Sequence, residues 1–129
     1  MILNYLMNKV SPHVEIYKFP ITALSSITNR ATGLYLTGTF IGVGLSGLTN
    51  YNLLNFYENL EFVPKKFLDY SLLFSGSYHT LGGIRHFIWD KNPNLLTNIS
   101  VHKSSQILFI GTIFCSIVLD KIITNKRVK

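Results

Sequence analysis

Two histidines and an arginine interrupt an otherwise apolar stretch, Ser77-Tyr78-His79-Thr80-Leu81-Gly82-Gly83-Ile84-Arg85-His86-Phe87-Ile88-Trp89-Asp90. Ionisable groups in a segment suited to lipid are costly, so they face a partner helix or a polar cavity and commonly mark function. A neutral imidazole at His79 can bind a metal or haem iron through one ring nitrogen while the other donates to a carbonyl or carboxylate. A histidine hydrogen-bonded between helices is an equal alternative on these residues alone. His86 follows after almost two helical turns, which puts both rings on one face about 10 Å apart along the axis. That pair cannot hold one metal ion. It suits a long cofactor with iron at depth and anionic groups near the surface, which Arg85 and His86 could meet. Arg85 by itself reads as a side chain reaching to the headgroups. Gly82 and Gly83 would let a flat ring or another helix approach the backbone.

A second polar cluster lies upstream, in Phe19-Pro20-Ile21-Thr22-Ala23-Leu24-Ser25-Ser26-Ile27-Thr28-Asn29-Arg30. If this segment is helical from about Ile21, Ser26 and Arg30 share a face. A hydroxyl and a guanidinium converging at a membrane edge can bind a carbonyl-bearing ring such as a quinone. An N-terminal cap followed by an interfacial arginine explains the same residues.

The elements that must position these groups are long apolar stretches. A spanning helix needs about 20 mostly apolar residues, and three stretches qualify: roughly residues 31–51, 67–89 and 105–123. The fold expected is an all-α membrane protein of three transmembrane helices, preceded by a short interfacial segment, within a single domain over residues 1–129. The segments between the spans are polar and contain Pro64 and Pro93, as connecting loops should. Gly38 and Gly42, four apart in the first span, would allow a close helix contact. With three crossings, Lys9, Lys18, Arg30, Arg85, Lys91 and Lys103 fall on one side, and Lys65, Lys66, Lys121, Lys126, Arg127 and Lys129 on the other. The balance is even, so the positive-inside rule does not orient the chain.

Composition agrees with a lipid environment. The 129 residues are 47% hydrophobic and only 14% charged, against about 25% charged in soluble domains, and the mean hydropathy is +0.28. The net charge of +6 is scattered or terminal and forms no stripe along a helix, which argues against nucleic acid. The lone Cys115 excludes an internal disulfide and a CxxC motif. It reads as a packed thiol. The first residues lack a basic region before their apolar start and an Arg-rich amphipathic segment, so no cleaved leader is expected. The abundance of Asn, Ile, Leu, Phe, Tyr and Lys is what an AT-rich gene, such as an organellar one, would encode.

Two motifs give a more specific reading. Ser11 to Gly33, SPHVEIYKFPITALSSITNRATG, is similar to SPH-x-x-IY followed by S-x-x-HR-x-TG. Tyr78 to Asp90, YHTLGGIRHFIWD, is similar to H-x-x-x-G-x-RH-x-x-WD. Both resemble the cytochrome b subunits of succinate dehydrogenase, the larger membrane anchors of respiratory complex II. The resemblance covers most of the chain, with the motifs in the right order and at the right topological positions.

It implies a non-catalytic subunit that carries electrons from succinate towards ubiquinone, with His79 as an axial ligand of haem b. The second ligand would come from a smaller anchor subunit. It further implies that Ser26 and Arg30 help form the ubiquinone site, and that Asn29, Arg85 and His86 lie near the haem propionates. The implied partners are the flavoprotein and iron–sulfur subunits, the smaller anchor and the lipid bilayer, with no nucleic acid. The implied location is the mitochondrial inner membrane with the N-terminus in the matrix, or the inner membrane of a bacterium. The Ser11-Pro12-His13 lead would dock the soluble subunits.

Asn29 departs from the pattern, since the family has histidine there; an amide can donate a hydrogen bond but cannot carry the positive charge. A haem-free structural anchor and a fumarate-reductase-type anchor working in reverse are the alternatives within this reading. A stand-alone metalloenzyme or transporter would need several ligands in one chain, and His13, His102 and Asp120 do not obviously complete a site with His79. Nothing here oxidises succinate, for there is no GxGxxG fingerprint and no cysteine set for an iron–sulfur cluster.

Overall fold

The computed structural model describes residues 19–49 and 51–127. These are helical throughout, with no strand among them: α1 (Ile21–Leu48), the short α2 (Leu53–Glu58), α3 (Phe62–Lys91), a 3-10 turn at Pro93–Leu95, and α4 (Asn98–Arg127). Ser11, Pro12 and His13 lie outside the described residues.

Local chemistry sets the helix ends. Pro20 stands at the N-cap of α1 in an extended conformation, where its missing N–H costs nothing. Its carbonyl accepts from the Ala23 and Leu24 amides at 3.0 and 3.2 Å. Asn52 caps α2 by accepting from the Asn55 amide at 3.1 Å. Thr97 caps α4 by accepting from the Ser100 amide at 3.3 Å.

The helices run past the apolar stretches expected from sequence. Ser26, Asn29 and Arg30, expected in a segment before the first span, are continuous with it in α1. Pro64, expected in a loop, occupies the first turn of α3, a position where proline removes no intrahelical bond. Two helices, α1 and α4, are long and apolar enough to cross a membrane. α3 has the length, about 45 Å for its 30 residues, but the polar residues between Asp69 and His86 keep it from meeting the same hydropathy test.

The bundle is inverted relative to a water-soluble one. Its buried positions are mostly small or polar: Ser25 and Thr32 on α1, Ser75, Tyr78 and Gly82 on α3, and Ser105, Thr112 and Ser116 on α4, with Leu108 on α4 the one buried aliphatic side chain among the described residues. Large apolar side chains point outward, with Leu34 75% exposed, Phe40 74% and Phe114 68%. Where lipid is the solvent, helices gain nothing by hiding leucine from it, and close packing through small residues holds them together instead. Four of the buried hydroxyls are returned to their own helices. Thr32 donates to the Thr28 carbonyl at 2.9 Å, Ser105 to Val101 at 2.8 Å, Thr112 to Leu108 at 2.7 Å and Ser116 to Thr112 at 2.8 Å.

α3 packs against both α1 and α4, and these two also touch each other. Gly38 and Gly42, whose spacing suggested a contact, meet nothing within 4 Å, whereas Gly33 and Gly82 sit against side chains of the neighbouring helix.

Candidate functional site

At the end of the bundle where α1 begins and α3 ends, Tyr78 is fully buried. Its ring packs between Phe74 and Phe109, at centroid separations of 5.7 and 5.1 Å. Its hydroxyl donates to Ser25, 3.0 Å from Oγ and 3.1 Å from the carbonyl oxygen. Arg85, two turns along α3, donates from Nη2 to the same Ser25 Oγ at 2.9 Å and from Nη1 to Ser105 Oγ at 3.0 Å. One guanidinium thus joins all three long helices. Its face lies 4.5 Å from the Trp89 ring centroid, and His86 meets that indole edge-on at 5.3 Å. Arg85 is turned inward, half-buried, rather than extended to the helix end, and its Nε is buried without a partner among the described residues.

His79 lies on the exposed side of α3, against α1. Its Nδ1 is 3.2 Å from the main-chain carbonyl oxygen of Asn29. With the proton on Nδ1 that contact is a hydrogen bond, and the Nε2 lone pair is left for a ligand. Asn29 itself packs on Gly82, and its Oδ1 is buried without a partner among the described residues. Ser26 and Arg30 are both exposed. One turn separates them on α1, and Gly33, against which the His79 ring rests, continues their stripe. Ser26, Arg30 and His79 therefore line one outer edge of the α1–α3 pair. His86, close to the same angular position as His79 on α3, is exposed about two turns further on.

Reasoning from sequence missed Ser25. It singled out Ser26, and the adjacent serine anchors the interior. The signal was available as a seven-residue spacing of small hydroxyl residues, Ser25 and Thr32 on α1 and Ser105 and Thr112 on α4, which is two turns of one helix face. Among the described residues no three of His, Cys, Asp and Glu come together as a metal-ion site. Cys115 is half-buried and lines an α3–α4 cleft of about 410 Å³ together with Leu81, Arg85, Trp89 and Ser104.

Residues 6–119 match the sequence profile of the succinate dehydrogenase/fumarate reductase transmembrane subunit family. The chain belongs to that family. A mitochondrial succinate dehydrogenase cytochrome b560 subunit of Bos taurus is 33% identical over 124 residues, covering 88% of this chain and 71% of the relative. The corresponding subunit of Dictyostelium discoideum is 30% identical over 118 residues, 81% of this chain, of whose own length the match spans only 59%. A succinate dehydrogenase cytochrome b556 subunit of Paracoccus denitrificans is 28% identical over 113 residues, covering 84% of this chain and 85% of the relative. The profile and the relatives indicate a succinate dehydrogenase cytochrome b membrane anchor. Of the groups gathered at this end of the bundle, Ser25, Ser26, Asn29 and Arg30 fall within Ser11–Gly33 and Tyr78, His79, Arg85, His86 and Trp89 within Tyr78–Asp90, whereas Ser105 lies outside both.

Proposed function

We propose that this chain is the haem-binding anchor of a succinate:ubiquinone oxidoreductase, spanning the inner membrane of a mitochondrion, or of a bacterium, three times with its N-terminus on the matrix or cytoplasmic side. The observation that carries this reading is His79, whose Nδ1 is tied to a main-chain carbonyl and whose Nε2 has no hydrogen-bond partner among the described residues, beside the exposed Ser26 and Arg30. α3 serves as the third span because the Tyr78 hydroxyl and both terminal nitrogens of Arg85 find partners on the two flanking helices. The direction favoured is succinate oxidation, since the relatives matched are named for it.

The residues present fit a haem. His79 would supply one nitrogen ligand to the iron, and its exposed position leaves room for a second ligand from the smaller anchor subunit. Arg85 Nε is a buried donor with no partner among the described residues, suited to a propionate carboxylate, and His86 lies toward the membrane edge. Asn29 would face such a carboxylate only with its NH2 turned forward, exchanging the amide's two ends. When bound, haem b supplies one-electron redox chemistry at iron.

Ubiquinone takes up two electrons and two protons. Ser26 donates a hydrogen bond to one quinone carbonyl, and Arg30 stabilises the negative charge that develops on that oxygen as electrons arrive. Both side chains are exposed and make no hydrogen bond to other described residues. The rest of the pocket is left to the smaller anchor and the iron–sulfur subunit, and the flavoprotein completes the complex.

The test is a reduced-minus-oxidised visible spectrum of the gently solubilised native complex, with haem quantified against this subunit. About one b-type haem per chain is expected; a complex without haem would leave a haem-free quinone-site anchor. In the same preparation Ser26→Ala is expected to lower quinone reduction about 2- to 10-fold, the worth of one neutral hydrogen bond, with succinate oxidation by an artificial acceptor intact. Unchanged quinone kinetics would remove Ser26 from the site.

A further inference from the structure

Two glycines face two polar side chains across the α1–α3 crossing. A Cβ at Gly33 on α1 would stand 2.9 Å from Cε1 of His79 and 3.3 Å from its Nδ1. A Cβ at Gly82 on α3 would collide with the side-chain oxygen of Asn29. The arrangement is reciprocal. α1 contributes Asn29 as a knob and Gly33 as a notch one turn later; α3 contributes His79 as a knob and Gly82 as a notch one turn later. Gly38, Gly42 and Gly83 have nothing within 4 Å, so the close fit is confined to these two glycines of the α1–α3 pair.

The geometry reaches the imidazole directly. The His79 ring can lie on the α1 backbone because residue 33 has no side chain, and only from there does Nδ1 come within 3.2 Å of the Asn29 carbonyl oxygen. Within the helix that carbonyl is positioned to accept the Gly33 amide; the Thr32 hydroxyl also lies 3.0 Å from it, and when its one proton goes to the Thr28 carbonyl at 2.9 Å the second lone pair of the Asn29 oxygen serves the imidazole. A main-chain acceptor fixes which nitrogen carries the proton, holds the ring plane, and makes the opposite nitrogen a stronger donor to a metal.

We propose that Gly33 and Gly82 form a reciprocal interlock that positions His79, setting the tautomer and ring plane with which its Nε2 meets the haem iron. The proposal rests on the reading of His79 as an axial ligand and adds the residues that orient it. It also explains how the ligand helix and the helix carrying Ser26 and Arg30 are held in one register: sliding α3 along α1 would drive each knob out of its notch.

The experiment compares Gly33→Ala, Gly82→Ala and Gly38→Ala in the assembled native complex, reading haem per chain, the low-spin g values of the oxidised haem and its midpoint potential. Gly33→Ala is expected to weaken haem retention about ten-fold, the scale of a lost orienting partner, and to move both the g values and the potential. Gly82→Ala should shift them in the same sense by less, because its added carbon meets the end of a side chain rather than the ring. Gly38→Ala should match the wild type. Haem bound by Gly33→Ala with wild-type g values and potential would overturn the proposal, even in a less stable complex, because the glycine would then serve packing alone. If Gly33→Ala does not accumulate, Gly82→Ala decides: shifted g values support the interlock and wild-type values overturn it. A wild-type complex without haem would instead defeat the ligand reading, and the interlock's role with it.

Discussion

The two ends of this helix bundle handle charge in opposite ways. Where α3 begins and α4 ends, Lys66 pairs with Asp120 at 3.1 Å, and the Tyr70 hydroxyl donates to the other oxygen of the same carboxylate at 3.0 Å. Tyr57 donates to Asp69 nearby, and Lys65 lies over the Tyr57 ring. Lys66 there finds an anion within the chain. Where α1 begins and α3 ends, Arg85 is held by two neutral serines, and Ser26, Arg30 and His79 are exposed. Positive charge there has no anion among the described residues. The first end is complete in itself and reads as a structural clasp. The second holds unspent hydrogen-bonding and ligating capacity, as a site does whose substrate, cofactor and partner chains lie outside this polypeptide.

Substitutions that separate the two ends test the contrast. The largest effect is expected for Tyr78→Ala, which empties the aromatic position where the three helices meet and removes the hydroxyl from Ser25. Denaturation of the solubilised complex should show a loss of about 3–5 kcal/mol. A loss below about 1 kcal/mol would mean that the three helices are held elsewhere. Next comes Arg30→Gln, expected to lower kcat/KM for quinone by about 10²-fold through the loss of charge stabilisation, with succinate oxidation by an artificial acceptor unchanged. A quinone rate within experimental error of wild type would erase the functional half of the comparison.

The smallest effect belongs to Lys66→Ala at the clasp. Quinone kinetics and haem content should stay at wild-type values, and any drop in thermal stability should shrink with added salt, as exposed ion pairs do. The hydrogen bond to Asp120 raises the Lys66 pKa above its ordinary 10.5. The pair's contribution is therefore fully present below that value and fades only as pH rises through the higher, folded-state one. The difference between wild type and variant should accordingly be flat through neutral pH. A haem or quinone defect in this variant would show the ends to be coupled.

Much of this arrangement is written in local spacing. Three long helices and the shared face of Ser26 and Arg30 follow from periodicity along single helices. What spacing does not supply is the rotation of one helix against another. Ser25 and Ser26 are neighbours in sequence, and only the packing of α1 on α3 decides that Ser25 takes Arg85 and Tyr78 while Ser26 faces outward. For the same reason the Gly38–Gly42 spacing pointed to a contact that this chain makes at Gly33 and Gly82. Arg85 read as a headgroup-seeking side chain because its partners are serines on α1 and α4, far away in sequence.

The returned hydroxyls carry a consequence for biogenesis. Thr28, Thr32, Thr37 and Thr39 on α1, and Ser105, Thr112 and Ser116 on α4, each donate to a carbonyl of their own helix. Those hydroxyl hydrogens are engaged within a single helix, before it meets any neighbour. The guanidinium of Arg85 is different, since its serines belong to the other two helices. On the reading that α3 is a third span, its entry into the bilayer would have to await both serine-bearing neighbours.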